Sequence, residues 1–407
     1  MTEQFDGARL LIYSHDAFGL GHLRRCQLIA QSLVSRFEDL SILIVSGSPV
    51  IGSFNFPARV DFVRIPGIVR RYEGEFVSRS LQLDINQTLK IRSEIIWRTA
   101  ELFQPDLFLV DKEPTGICDE IVDILPRFQN THTRLIVGLR DVMDAPDMLR
   151  QEWNARKCVI PALEDYYDEI WVYGMREMWQ PLTGIDVSED VHRKMIYTGY
   201  LQRTVPDKLK RHPIVGSGEP YLLVTPGGGG DGFGLVDWVL RAYETDQRLP
   251  WQPVFVFGPL MDFEKQKQLM ARVEQVPDAR AIAFDSKFEI LMASAAGVVS
   301  MCGCNTFGEI LSFDKKAVVV PRCRPRQEQL LRAREGERLG LIKMLDPDLI
   351  PNTDAMITAI QNLEYQSRPS TSLLPGMLNG LETVAERAEP YLFKRAKLST
   401  AEAVATF

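Results

Sequence analysis

The sequence predicts an α/β protein of two doubly wound domains facing each other across a cleft. Three observations carry this. The chain has 407 residues, enough for two domains of ordinary size. Short continuous apolar runs recur along it, and such runs suit strands of a parallel sheet covered on both faces. A stretch rich in Pro, Gly and charge, 201–220 (LQRTVPDKLKRHPIVGSGEP), divides the runs into two series.

The first series is ARLLIYS (8–14), LSILIVSG (40–47), VDFVRI (60–65), PDLFLVD (105–111), RLIVGLRD (134–141), EIWVYG (169–174) and KMIYTGY (194–200). The second is PYLLVTPGG (220–228), QPVFVFGP (252–259), ARAIAFD (279–285), AGVVSM (296–301) and KAVVVPR (316–322). Helical patterns lie between them, as in 22–37, where Leu23, Cys26, Ala30 and Leu33 share one face. The expected division is a first domain over 1–202, a linker over 203–219 and a second domain over 220–375. Ligands of such sheets bind beyond the carboxyl ends of the strands, so the expected site is the cleft between the domains.

Composition narrows the function. Hydrophobic residues make up 45% and charged residues 25%, ordinary globular values that suit a large core. The net charge of −7 argues against a broad nucleic-acid footprint, and no nucleic-acid partner is expected. The six cysteines, at 26, 118, 158, 302, 304 and 323, form no C-x2-C pair, so no structural metal is expected. They suit reduced thiols in a cytoplasmic protein. The N-terminus lacks a secretory leader pattern, and no apolar run approaches the roughly 20 residues that span a bilayer.

Four motifs sit where strand gives way to helix. In SHDAFGLGHLRR (14–25), Gly19 and Gly21 permit a tight turn and close approach of backbone to ligand. Arg24 stands where a dinucleotide fingerprint needs its third glycine. His22 is placed either to take a proton from an acceptor hydroxyl or to pack at the helix start. In VTPGGGGDGFG (224–234), Gly227, Gly228, Gly229 and Gly230, with Asp231, expose successive backbone N–H groups in a manner that suits a phosphate. No GK[ST] follows, which excludes an ATPase P-loop.

The third motif is SMCGCNTFGEILSF (300–313) with PRCRPRQEQLLRA (321–333). Thr306 and Glu309 read as a capping box, and Glu309 reads equally as an acceptor for a ribose diol. Glu328 and Gln329 suit sugar hydroxyls, or else a solvated polar loop balanced by Arg322, Arg324 and Arg326. The fourth comprises VDKEPTG (110–116) and GLRDVMD (138–144), which place Asp111, Lys112, Glu113, Arg140 and Asp141 at the cleft. Asp141 is a second candidate base, or else an ion-pair partner or helix cap. Asp346-Pro347-Asp348 reads as a structural turn. The aromatic and arginine-rich segment 54–72 is read as a strand with a polar loop, membrane-surface contact being the other reading.

Together, G-x-G-H after the first strand, the glycine loop opening the second domain, G-x-N-T-x-x-E and the later P-R…E-Q resemble the GT-B glycosyltransferases. The likeness is to the family 28 type, which includes the N-acetylglucosaminyltransferase of the lipid-linked cell-wall precursor, and to a related bacterial group of transferases. It implies two Rossmann-like domains and transfer of a sugar, UDP-linked by expectation, from a nucleotide-diphosphate sugar to a hydroxyl acceptor. Polysaccharide or glycolipid synthesis, no cofactor and no metal follow from it, as does a cytoplasmic site of action, with a lipid-linked acceptor and peripheral contact at the inner face of the plasma membrane as options. By the likeness, Gly303, Asn305 and Thr306 lie along the diphosphate, and Glu309 holds the ribose. Glu328 and Gln329 meet the sugar, the backbone near Phe284 meets the base, and His22 lies beside the reaction centre. A final helix, 376–396, is implied to cross back to the first domain, with 397–407 as a tail. A UDP-sugar 2-epimerase-like isomerase and a non-catalytic nucleotide-sugar-binding protein are the alternatives on this fold.

Overall fold

The computed structural model describes residues 7–15, 21–70, 75–205, 219–246, 248–285, 287–350 and 352–392. Gly19, most of the linker 203–219 and the tail 397–407 lie outside them.

The first domain runs β1 (Arg9–Ser14), α1 (Gly21–Arg36), β2 (Ser41–Ser46), β3 (Val60–Arg64), β4 (Ile68–Arg70), β5 (Phe76–Ser78), α2 (Ile85–Phe103), β6 (Leu107–Asp111), β7 (Arg134–Arg140), α3 (Pro146–Ala155), α4 (Val159–Asp165), β8 (Glu169–Tyr173), α5 (Glu189–Lys194) and β9 (Met195–Tyr197). Its seven-stranded sheet has the order β3-β2-β1-β6-β7-β8-β9, all parallel. The order reverses between β1 and β6, which opens a crevice at their carboxyl ends. The antiparallel pair β4–β5 has no counterpart among the expected strands.

The second domain runs β10 (Tyr221–Thr225), α6 (Phe233–Thr245), β11 (Gln252–Val256), α7 (Phe263–Val273), β12 (Arg280–Ile282), α8 (Phe288–Ser294), β13 (Gly297–Ser300), α9 (Cys304–Ser312), β14 (Ala317–Val319), α10 (Glu328–Arg338), β15 (Lys343–Met344) and α11 (Thr353–Leu363), followed by α12 (Gly380–Leu392). Its six-stranded parallel sheet, β12-β11-β10-β13-β14-β15, reverses between β10 and β13.

Both sheets are buried on both faces, which is why their strands read as unbroken apolar runs. Leu10 and Ile12 of β1 enter one core cluster, and Leu11 and Tyr13 enter the cluster on the opposite face. In β10, Leu222 and Val224 divide from Tyr221 and Leu223 in the same way.

The last helix, α12, belongs to the first domain's core. Val384, Ala385, Ala388 and Leu392 pack with Leu23, Ala30 and Leu33. Glu169, buried at the start of β8, accepts hydrogen bonds from Arg387, from the Tyr391 hydroxyl at 2.7 Å and from Trp171 Nε1 at 2.7 Å. The chain therefore crosses between domains twice. The two crossings are tied together: Tyr200 N donates to Met377 O at 2.7 Å, and Gly380 N donates to Tyr200 O at 3.1 Å. Gly199 is left-handed there (φ 85°), and a side chain would come within 2.5 Å of Gly376 O.

Candidate active site

The first domain contributes a histidine–carboxylate pair. His22 lies in the first turn of α1, where the 3.6-residue period sets Arg25 beside it. Its Nδ1 is 2.5 Å from Oδ2 of Asp111, the last residue of β6. Arg25 donates to both oxygens of Asp111, from Nε at 2.7 Å and from Nη2 at 2.9 Å. All three side chains are buried. Burial would raise the Asp111 pKa, but Arg25 and His22 outweigh it and keep the carboxylate ionised. For His22, burial and then Arg140 bring the pKa down to about 3, so the ring is neutral. The proton therefore sits on Nδ1, facing Asp111, and the Nε2 lone pair is turned into the cleft. There it accepts a hydrogen bond from Arg140 Nη2 at 2.8 Å. His15 packs edge-on to His22, ring centroids 5.0 Å apart.

A second polar cluster lies next to this pair. Lys112 Nζ donates to Glu113 Oε1 at 2.6 Å, and Arg156 donates to Glu113 Oε2 at 2.6 Å and to Asp119 Oδ1 at 2.8 Å. Burial would raise the Glu113 pKa, but Lys112, His15 and Arg156 together hold it well below the usual range.

The second domain contributes the loops after β10, β13 and β14. Gly227 and Gly229 are left-handed (φ 81° and 91°). A Cβ on Gly229 would meet Phe257 O at 2.3 Å, and Leu260 N donates to Gly228 O at 2.9 Å. Two of the four glycines thus have a backbone reason of their own, whereas Gly228 and Gly230 face open space or the Leu260 side chain at 3.6 Å or more. A Cβ on Gly227 would lie 3.6 Å from Oγ1 of Thr306 in α9. Helix α9 begins at Cys304, after a turn in which Cys302 is left-handed (φ 62°) and Gly303 has open space on its Cβ side.

The capping-box reading of Thr306 and Glu309 is corrected by this start. The cap position is Gly303, so Thr306 already lies inside the helix. Glu309 is fully buried, and burial raises its pKa despite Arg24. Its Oε1 accepts from Arg24 Nη2 at 2.8 Å, and its Oε2 has no hydrogen-bond partner among the described residues. In the loop before α10, Arg322 contacts Glu328 and pairs with Asp231 at 2.9 Å, and its backbone N donates to Gln329 Oε1 at 2.9 Å.

The domains are pressed together across these groups. Arg24 bridges Glu309 and Glu289 of the second domain. Asn305 Nδ2 donates to Gly21 O at 2.9 Å. Arg326 pairs with Asp144 at 2.9 Å. The space left among Arg25, Tyr173, Arg203, Cys304 and Asn305 is about 20 Å³, room for a water and far from the several hundred a nucleotide sugar needs.

Comparison with known proteins now bears on this arrangement. Residues 222–366 match the glycosyltransferase family 28 C-terminal domain. Among solved structures, UGT2 of Phytolacca americana with UDP-2-fluoro-glucose and pterostilbene is similar at 12% identity and TM-score 0.60, over 98% of this chain and 99% of that one. UGT71G1 of Medicago truncatula with UDP-glucose is similar at 11% and 0.58, over 96% and 100%. The calicheamicin glycosyltransferase CalG4 is similar at 15% and 0.57, over 95% and 99%. The fold is GT-B. No curated protein matches the chain.

Within this GT-B fold, the expected first-domain residues do not share one role. His22, Asp111 and Arg140 converge, and Gly21 lies beside Asn305. Lys112 and Glu113 are engaged with each other and with Arg156. Asp141 as a base is corrected. It is fully buried, both oxygens accept from Arg332 at 2.7 Å, and Tyr200 donates to Oδ2 at 2.9 Å. Burial would raise its pKa, but Arg332 outweighs it and holds it low, leaving no lone pair for an acceptor proton. Phe284 is half-exposed just beyond β12. Asp346 caps a short turn of helix, Pro347–Leu349, as its sequence suggests. In segment 54–72, Phe54, Phe56 and Phe62 pack against the core.

Sequence reasoning missed Arg24, Arg25, Arg332 and Tyr200. Arg25 was a usable signal, because the position three beyond a helix-start histidine lies on the same face. Among the described residues, no three His, Cys, Asp or Glu side chains converge to hold a metal, and no helix is long and apolar enough to cross a membrane.

Proposed function

We propose that this protein transfers a sugar from a nucleotide-diphosphate sugar, of the UDP type, to a hydroxyl acceptor, with His22 as the base. The observation that carries the reading is the His22–Asp111 pair on the cleft floor. Asp111 fixes the Nδ1–H tautomer, which leaves the Nε2 lone pair as the acceptor, beside Arg140. An acceptor hydroxyl bound there would lose its proton to Nε2 as its oxygen attacks the anomeric carbon. Helix α9, the glycine loop and the cleft arginines would receive the charge on the departing diphosphate, as preorganised dipoles do. The nucleotide would lie over the second domain, its ribose on Glu309, near Thr306, Glu328 and Gln329. The family 28 match covers this domain, and two similar structures were solved with UDP-sugars.

Donor binding at Glu309 requires the domains to part, because Arg24 and Gly21 occupy its surroundings. Calorimetry of UDP, GDP, ADP and TDP and their sugar conjugates tests the reading. UDP-type binding that is lost in Glu309→Ala supports it. A folded protein that binds no nucleotide overturns it.

A further inference from the structure

Arg140 is unlike the other cleft arginines. Arg25 is matched by Asp111, Arg24 by Glu309 and Glu289, Arg322 by Asp231 and Glu328, Arg326 by Asp144, and Arg332 by Asp141. Among the described residues, Arg140 has no carboxylate within ion-pair distance. One of its nitrogens is spent on the lone pair of His22, and its Nε is buried with no hydrogen-bond partner. A guanidinium carries five donors, so this one is poorly satisfied. Burial and the neighbouring Arg25 both disfavour its charge, while Cys304 and Glu328 of the second domain favour it. Arg140 therefore holds the base with one nitrogen, while Cys304, the first residue of α9, acts on its charge from the second domain.

We propose that Arg140 is a catalytic residue that receives the departing diphosphate, and that turning to do so releases His22. The proposal rests on the glycosyl-transfer reading above. Without donor, Arg140 holds the Nε2 lone pair and the base is blocked. The diphosphate offers a doubly ionised partner that an imidazole cannot match, and an arginine binds such oxygens in bidentate fashion. With Arg140 drawn onto it, Nε2 is free. The acceptor oxygen then bonds to the anomeric carbon and its proton passes to Nε2. The bond from the anomeric carbon to the diphosphate oxygen breaks, and its electron pair stays on the diphosphate beside Arg140. A base freed only when donor is seated would also suppress proton abstraction in the empty cleft.

The charged and titratable groups that act on His22 are Asp111 from β6, Arg25 from its own helix, Arg140 from β7 and His15 beyond β1. Of these, Arg140 is the one that engages Nε2, whereas Asp111 and Arg25 lie on the Nδ1 side.

The test uses the full chain, as wild type, Arg140→Lys and Arg140→Ala, with matched thermal unfolding to verify folding. Calorimetry reads UDP, inorganic pyrophosphate and uridine, and ¹⁵N NMR of labelled histidines reads Nε2 of His22, assigned with His22→Gln. UDP and pyrophosphate should weaken about tenfold in Arg140→Ala and less in Arg140→Lys, with uridine unchanged. Saturating UDP should move the wild-type Nε2 resonance toward its position in ligand-free Arg140→Ala. Unchanged pyrophosphate and UDP affinity in Arg140→Ala, or a His22 signal indifferent to bound UDP, overturns this proposal and leaves the transferase reading standing. A folded wild type that binds neither UDP nor pyrophosphate overturns both.

Discussion

Arg332 of α10 donates two hydrogen bonds, each 2.7 Å, to the carboxylate of Asp141 at the end of β7, and neither side chain has any exposure. The pair joins the domains at the crossing itself, since Tyr200 donates to the same carboxylate and stacks edge-on against Phe307 of α9. Removing one partner strands a buried charge, which costs about 3–5 kcal/mol. Asp141→Ala should therefore lower the unfolding temperature sharply, and pairing it with Arg332→Met should recover much of the loss. A residue acting as the base would instead lose turnover with its melting temperature unchanged.

His22→Gln should reduce turnover by about 10²- to 10⁴-fold, the usual worth of a general base. Asp111→Asn should also reduce it, because an amide no longer fixes the Nδ1–H tautomer. It should destabilise the fold as well, since Arg25 loses its partner. Initial rates with UDP-sugar and an accepted hydroxyl compound, beside denaturant titrations, separate the two effects.

The His22 titration has a definite sign. Its folded pKa, about 3, lies below the ordinary 6.5, so folding favours the neutral ring. That contribution is fully present above 6.5 and is lost as pH falls towards 3. Wild type should therefore lose stability relative to His22→Gln between pH 7.5 and about pH 4.5 in chemical denaturation. Parallel curves for the two proteins would contradict the buried, neutral ring described here.

The four glycines of the loop after β10 should separate by experiment. Gly229→Ala should destabilise the protein, because Phe257 O lies 2.3 Å from the added carbon and the backbone is left-handed. Gly230→Ala has room, its nearest neighbour being 3.9 Å away, and should fold normally. A loss of UDP affinity in Gly230→Ala at unchanged melting temperature would report directly on the phosphate contact.

Arg24 and Glu309 give an opposed pair of outcomes. Glu309→Gln should weaken UDP binding about tenfold by removing a charged acceptor from the ribose. Arg24→Ala should strengthen it, because the carboxylate no longer has to exchange a guanidinium for ribose hydroxyls. Weakening in both variants would instead make Arg24 part of the donor site.

The sheets were the legible part of this chain. Apolar runs such as LSILIVSG and QPVFVFGP mark strands buried on both faces, and each expected run corresponds to a strand. The β4–β5 pair and β15 escaped because charged residues interrupt or border these short strands, whereas the equally short β9, β12 and β14 lie in longer apolar runs. Of the site, the meeting of His22 with Asp111 was only partly visible. The sequence places both at the cleft, but their pairing needs β1 beside β6, a contact 89 residues apart. Asp141 misled because a carboxylate at a strand end looks the same whether it faces solvent or an arginine 191 positions on. Such partners are set by how two domains dock, and local spacing does not encode docking.

The attachment of α12 to the first domain has a consequence for how the protein is made. The face of that domain formed by Leu23, Ala30 and Leu33 is covered by Val384, Ala385 and Leu392, which emerge from the ribosome after the whole second domain. The first domain thus waits, with apolar surface uncovered, while its neighbour is synthesised and folds. A nascent chain halted near residue 370 should bind chaperones and resist release, whereas one extended past residue 392 should become protease-resistant in both domains together.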